Sequence, residues 1–168
     1  ADLDGDGVGD ACDYAECGNE FLEGTEQCDD GNSDSGDGCS MMCGNESFAV
    51  GSVIVTEIMY APKAVDATTG EYFEVYNTTD EMLDLGGWVL TDEVGNTTTL
   101  VTPEGFLLIG PKEFLVFGKV ADPEVNGGLI LDYAYGSAFT LAAKADKVVL
   151  KWNGTVIDKV VCGTALGF

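Results

Sequence analysis

From residue 52 to the C-terminus, short runs of β-branched and aromatic residues are separated by Gly, Pro, Asn and Asp, with a break at intervals of about ten residues. Such spacing predicts strands and tight turns. The runs fall at 53–59, 72–77, 88–91, 98–102, 106–109, 114–117, 129–133, 138–141, 147–152 and 155–161. In the 72–77 run a period of two puts Phe73 and Val75 on one face and Tyr72, Glu74 and Tyr76 on the other. Asn153-Gly154 supplies the two positive φ angles of a type I′ hairpin turn. No stretch has the period of a long amphipathic helix. The expectation is an all-β sandwich in which Trp88 is a core residue. Four acids of this region, Glu57, Glu71, Glu74 and Asp92, are the ones a catalytic reading would use. Carboxylates on the solvent face of strands are the ordinary outcome, and that is the expectation for these.

The pattern changes before residue 50. Aliphatic residues almost vanish, and five of the six cysteines (Cys12, Cys17, Cys28, Cys39 and Cys43) lie there. A segment with no apolar core of its own must be held by cross-links or metal ions. Six cysteines allow fifteen pairings. Pairing of Cys17, Cys28, Cys39 and Cys43 among themselves is expected, with Cys12 and Cys162 left to bond each other, a missing part of a precursor, or a neighbouring copy. A zinc site is the alternative, but the spacing lacks paired C-x2-C knuckles and the surrounding carboxylates suit a harder cation.

Composition sharpens the contrast. The chain has 168 residues, 45% of them hydrophobic, with 30 Asp+Glu against 7 Lys+Arg and a formal charge of −23. All seven basic residues are Lys, and there is no His. Nucleic acid and anionic membrane surfaces would repel such a chain, so neither is an expected partner. The missing His removes the usual general base and the usual catalytic triads. Charge is also uneven: the first 50 residues hold 14 acids and no Lys, the remaining 118 hold 16 acids and all seven Lys. No apolar run reaches membrane-spanning length, and no signal peptide precedes Ala1. The chain is therefore expected to be mature or cut from something longer.

Within the acidic third, Asp2, Asp4, Asp6, Asp10 and Asp13 occupy positions 1, 3, 5, 9 and 12 of a calcium loop. Gly7 stands at position 6 for the sharp turn, and Val8 is placed to offer its carbonyl. Neither flank has helical periodicity and the last ligand is Asp rather than Glu, so this is not an ordinary EF-hand. An acidic Gly-rich linker is the bland alternative. The Asp-x-Asp-x-Asp-Gly pattern before Cys12 resembles a thrombospondin type 3 repeat, which implies a secreted, calcium-dependent, rod-like array. A second Gly-rich loop carries Asp29, Asp30, Asn32, Asp34 and Asp37, either as a second calcium site or as turn formers. From Cys17 to about Glu46 the cysteine and Gly-Asp-Gly elements resemble a Cys-rich repeat of myxobacterial-type surface proteins.

Farther on, Ile54-Val55-Thr56-Glu57-Ile58-Met59, Glu71-Tyr72-Phe73-Glu74-Val75-Tyr76-Asn77 and Leu83-Asp84-Leu85-Gly86-Gly87-Trp88 resemble the lamin tail domain. That resemblance covers roughly residues 53–161 and implies an immunoglobulin-like β-sandwich, with an edge left unfinished near the C-terminus that invites pairing with another chain. The expected organisation is a calcium loop at 1–16, a Cys-rich repeat at 17–48 and the sandwich at 52–168. The expected role is a secreted, non-catalytic, calcium-binding structural protein that forms a homo-oligomer or polymer through calcium and edge-strand contacts. The alternative is a recognition or adhesion module with an aromatic patch around Tyr133 and Tyr135. Formal N-glycosylation acceptors stand at Asn45, Asn77, Asn96 and Asn153.

Overall fold

The computed structural model describes residues 17–33, 38–92, 95–141 and 145–163. The calcium loop Asp2, Asp4, Asp6, Val8, Asp10 and Asp13, together with Cys12, Asp34 and Asp37, lies outside the described residues, as does the side chain of Cys162.

The elements in chain order are β1 (Val53–Met59), α1 (Ala67–Gly70), β2 (Tyr72–Asn77), β3 (Leu83–Asp84), β4 (Val89–Thr91), β5 (Thr97–Thr99), β6 (Leu108–Ile109), β7 (Phe114–Gly118), α2 (Pro123–Asn126), β8 (Tyr133–Ala134), β9 (Ala145–Trp152) and β10 (Thr155–Gly163). They form two four-stranded sheets, ordered β1-β2-β7-β8 and β10-β9-β4-β5, and a two-stranded sheet β3-β6. All pairings are antiparallel except β7 with β8. This is an immunoglobulin-like sandwich. Among the described residues no helix is long and apolar enough to cross a membrane.

The period-two pattern sets the core. Phe73 and Val75 of β2, Leu115 and Phe117 of β7, Leu90 of β4 and Val148 and Leu150 of β9 all point inward and are buried together with Trp88. Each such side chain contributes roughly 1.5–3 kcal/mol relative to an exposed position. Phe73 is the aromatic centre, with its ring 5.2 Å from Phe117, 5.9 Å from Tyr135 and 6.2 Å from Phe139. The hairpin between β9 and β10 turns at Asn153 (φ 44°) and Gly154 (φ 77°), as a type I′ turn requires.

Three local differences from the sequence pattern have physical causes. The 138–141 run forms no strand, because Phe139 and Leu141 are buried from a loop and the Leu141 N–H donates to the Glu71 carboxylate at 3.2 Å instead of to a ladder. Residues 129–133 contribute only their last residue to β8. The two-residue β3 and the single-turn helices α1 and α2 are too short to carry a period; the helices are marked instead by caps, the Asp66 side chain accepting from Thr68 N–H and that of Asp122 from Glu124 N–H.

Strands β1 and β10 meet at one corner of the sandwich. At the β1 edge the Val55 N–H donates to the Asp158 carboxylate at 2.7 Å, and the Gly51 N–H to the Ile157 carbonyl at 2.8 Å. Register shifts between Val55 and Glu57 and between Val156 and Asp158 bend both strands where the sheets meet. Of the other outermost strands of the two four-stranded sheets, β5 is three threonines and β8 two residues, short enough to discourage pairing with another chain.

Asn77 ends β2 fully buried, which removes it as a glycosylation acceptor. Its amide N–H groups donate to the carbonyls of Glu81 (2.7 Å), Gly110 (2.9 Å) and Ile109 (3.2 Å), and its oxygen accepts from the Thr79 N–H and hydroxyl. Asn77→Ala should cost about 2–4 kcal/mol in urea unfolding, because buried carbonyls lose their donor. Asn77→Asp should cost more, since it turns a carboxylate toward those carbonyls; an Asp variant more stable than the Ala variant at neutral pH would contradict this account.

Candidate functional site

In the Cys-rich segment Cys17 is bonded to Cys43 and Cys28 to Cys39, with Cα separations of 5.5 and 5.7 Å. The second loop is nested in the first. Closing loops with sequence separations of 26 and 11 removes conformational freedom from the unfolded chain, worth about 3 kcal/mol for either bridge alone. Backbone bonds then tighten the fold: Gln27 and Cys28 N–H both donate to the Cys43 carbonyl, and Cys39 bridges to Asn45.

Asp29 is the hub of this segment. One carboxylate oxygen accepts from Gly18 and Asn19 N–H at 2.9 and 3.2 Å, the other from Glu20 and Gly31 N–H, both at 2.9 Å. Desolvation raises its pKa, but the four backbone donors together outweigh this and hold the group below the usual carboxylate range. A carboxylate has about four lone-pair sites, and here backbone amides take them. Asp29 thus accepts backbone amides in the manner of a turn former. Gly18 is required beside it: φ is 94°, and a Cβ would lie 2.7 Å from the Asn32 backbone. Asp30 and Asn32 are exposed on the same loop. A group formed by Glu26, Asp29 and Cys43 places ligand-type atoms within 4.8 Å of one another. It makes no metal centre, because the Cys43 sulfur is in a disulfide and Asp29 is spent on amides.

In the sandwich, Glu57 and Glu74 are on the outer side as expected. The Tyr72 hydroxyl donates to Glu57 at 2.7 Å, and the Thr56 hydroxyl to Glu74 at 2.7 Å. The Glu57 hydrogen bond and burial push the Tyr72 pKa up to about 12. Glu71 and Asp92 are different: each is only 2% exposed. Asp92 closes the β4–β5 turn by accepting from the N–H groups of Gly95 and Asn96 at 2.7 and 2.8 Å, and from the Asn96 amide. Glu71 lies in the core 3.4 Å from the Lys119 ammonium, and takes the Leu141 N–H at 3.2 Å and the Tyr135 hydroxyl at 3.5 Å. Burial raises its pKa, and Leu141 and Lys119 offset only part of that. Asp84, not among the four, holds the N–H groups of Gly86 and Leu107, both at 2.8 Å. The Asp-x-Gly spacing was its signal in the sequence. The β1–β2 register sets Glu57 directly opposite Glu74 on the outer face, where Tyr72 and Thr56 donate to them, whereas Glu71 and Asp92 each have separate partners inside the sandwich.

Tyr135 is buried in the core, so it forms no surface patch with Tyr133, whose hydroxyl accepts from the Val101 N–H. Two clefts do exist. One, of about 480 Å3, separates the Cys-rich segment from β3 and β6 and is lined by Met42, Phe48, Met82, Leu83 and Leu108 among others. The other, of about 450 Å3, is more apolar and is formed by Met59, Pro62, Val65, Tyr72 and Leu129 around α1. Phe48 lines the first and packs edge-on against Trp88 at 4.8 Å and Trp152 at 5.2 Å.

The family model for the lamin tail domain matches residues 46–164. A second model, described as a Domain of unknown function (DUF4215), matches residues 6–44. The matches found thus do not include the thrombospondin type 3 and myxobacterial-type repeats that the N-terminal motifs resemble. No curated protein matches the chain.

The buried pair yields a test with a sign. A carboxyl whose folded pKa is raised is favoured in its neutral form, so its effect on stability improves as pH falls toward the unfolded value. Lys119→Met leaves Glu71 unpaired and should cost roughly 2–4 kcal/mol at about pH 7, moderated because Lys119 is partly exposed. The loss should shrink toward about pH 5, as protonation removes the unpaired charge. Urea unfolding at both pH values checks this, and a loss independent of pH would mean that Lys119 acts only through packing of its stem.

Proposed function

The chain belongs to the lamin tail domain family, and on that premise we propose that it is a secreted, calcium-binding structural protein of the cell surface or extracellular matrix, a stalk or self-assembling fibre subunit. The observation that carries this reading is the joining of two unlike parts. A sandwich with its own aromatic core is coupled to an acidic segment held by two disulfides. Disulfides belong to oxidising compartments, which supports secretion. Carboxylates at every second residue from Asp2 to Asp6, with Asp10 and Asp13 following, supply the oxygen donors of one calcium site. With Asp29 engaged by backbone amides, the expected uptake is one calcium per chain from this loop.

An alternative role as a recognition module draws on the apolar cleft around Met59, Pro62, Val65 and Leu129. It predicts a compact monomer whose size ignores chelator.

Extracellular calcium modules bind at roughly 0.1–1 mM, so in a few millimolar calcium the site would contribute on the order of 1–2 kcal/mol to the segment's order. Calorimetric titration of the wild type is expected to give about one calcium per chain, and the Asp4→Asn/Asp6→Asn variant to lose it with no change in the melting of the sandwich. Unchanged stoichiometry in that variant would refute the ligand assignment. A wild type that binds no calcium and stays monomeric would overturn the structural reading.

A further inference from the structure

Strand register places one set of side chains on the outer face of the β10-β9-β4-β5 sheet. On β9, Val148 and Leu150 point into the core, so Lys147, Val149 and Lys151 point outward. Lys159 of β10 pairs with Val149, Val161 with Lys147 and Val156 with Lys151. On the other side Thr91 pairs with Val149 and Val89 with Lys151, followed by Thr97 and Thr99 of β5. These ten outward positions hold three lysines, four valines, three threonines and no acid.

That is unusual in a chain of charge −23 with seven lysines. Lys147 and Lys151 stand four residues apart, about 13 Å along β9, with Lys159 about 5 Å across on the next strand between them. The three surround Val149, which is buried on this face, while Val156 and Val161 flank them 40% and 45% exposed. Cationic heads over apolar stems, with exposed valines at the rim, form a surface complementary to an acidic chain.

We propose that this sheet face is the docking surface for the acidic N-terminal third of a second copy of the chain, which makes a head-to-tail assembly. The proposal rests on the structural reading above and names its contact. Charge complementarity selects the occupant: the first 50 residues carry 14 acids and no lysine, so they are a counterpart that every copy brings in equal number. The described part of a molecule's own segment is directed elsewhere. Phe48 packs on Trp88 and Trp152 on the core side, and the cleft beneath the segment runs over Leu83 and Leu108. A heterologous contact of this kind repeats without closing and builds a filament. Calcium held by the same carboxylates lowers their charge and weakens this contact, which sets it apart from a calcium bridge.

The test uses the full chain, as an equal mixture of isotopically heavy and light copies without calcium, treated with a carbodiimide that joins amines to carboxylates at zero length. The expected result is heavy–light peptide pairs linking Lys147, Lys151 or Lys159 to acids of residues 1–46. In sedimentation the same material should associate about tenfold more weakly when salt rises from about 20 to about 300 mM, and in the Lys147→Gln/Lys151→Gln/Lys159→Gln variant. Links confined to one copy would overturn the proposal, because the face would then be covered by its own segment. So would association in calcium with no links at these lysines, an outcome that leaves the structural reading standing. Capture of an added sulfated polysaccharide at this face without self-association would overturn it in favour of a polyanion ligand. A monomer under every condition, with or without calcium, would overturn both.

Discussion

Thirty acids against seven lysines make this chain repel itself, and the apolar contact between two β-sheets must outweigh that repulsion. A close pair of like charges costs on the order of 1 kcal/mol in water, a small sum that grows with crowding. Phe73, Phe117, Phe139, Tyr135 and Trp88 form the compensating core. The N-terminal third has no such core, so covalent bonds take its place: the Cys17–Cys43 bridge encloses the Cys28–Cys39 bridge.

The same constraint explains how carboxylates are employed. Asp29, Asp84, Asp92 and Asp158 each accept backbone N–H groups that no strand or helix satisfies. A charged acceptor makes a stronger hydrogen bond than a neutral one, and acids are what this composition has in excess. Asp158 closes the corner between β1 and β10 in this way. Glu71 goes further and enters the core, which it can do because Lys119 follows it there.

Much of the sandwich was legible beforehand because period-two alternation is a local signal. β1 and β2 fall on the residues the pattern marked, and Asn153-Gly154 turns where its φ angles require. What was not legible depends on partners distant in sequence. Glu71 read as a solvent-facing strand acid because Lys119, Tyr135 and Leu141, which hold it inside, are 48 or more residues away. The 138–141 run has strand composition, yet its backbone donates to a side chain, and no propensity reports that. Asp29 carried two readings of one motif. Four amide donors converge on it only because the nested disulfides bring residues 18–20 against residue 31. The lysine face was hidden for the same reason: Lys147, Lys151 and Lys159 are scattered in sequence and meet only through the β9–β10 register.

The central claim is that two differently stabilised parts share one chain, a sandwich that stands on its apolar core and an acidic segment that stands on cross-links. Hydrogen exchange of the full chain, read peptide by peptide with and without reductant, tests this most directly. The account predicts that amides of β2, β4, β7 and β9 keep their protection after reduction, while those of residues 17–46 exchange at the rate of an unfolded chain. Loss of protection in both parts together would contradict it, for the sandwich would then depend on the disulfides as much as the segment does.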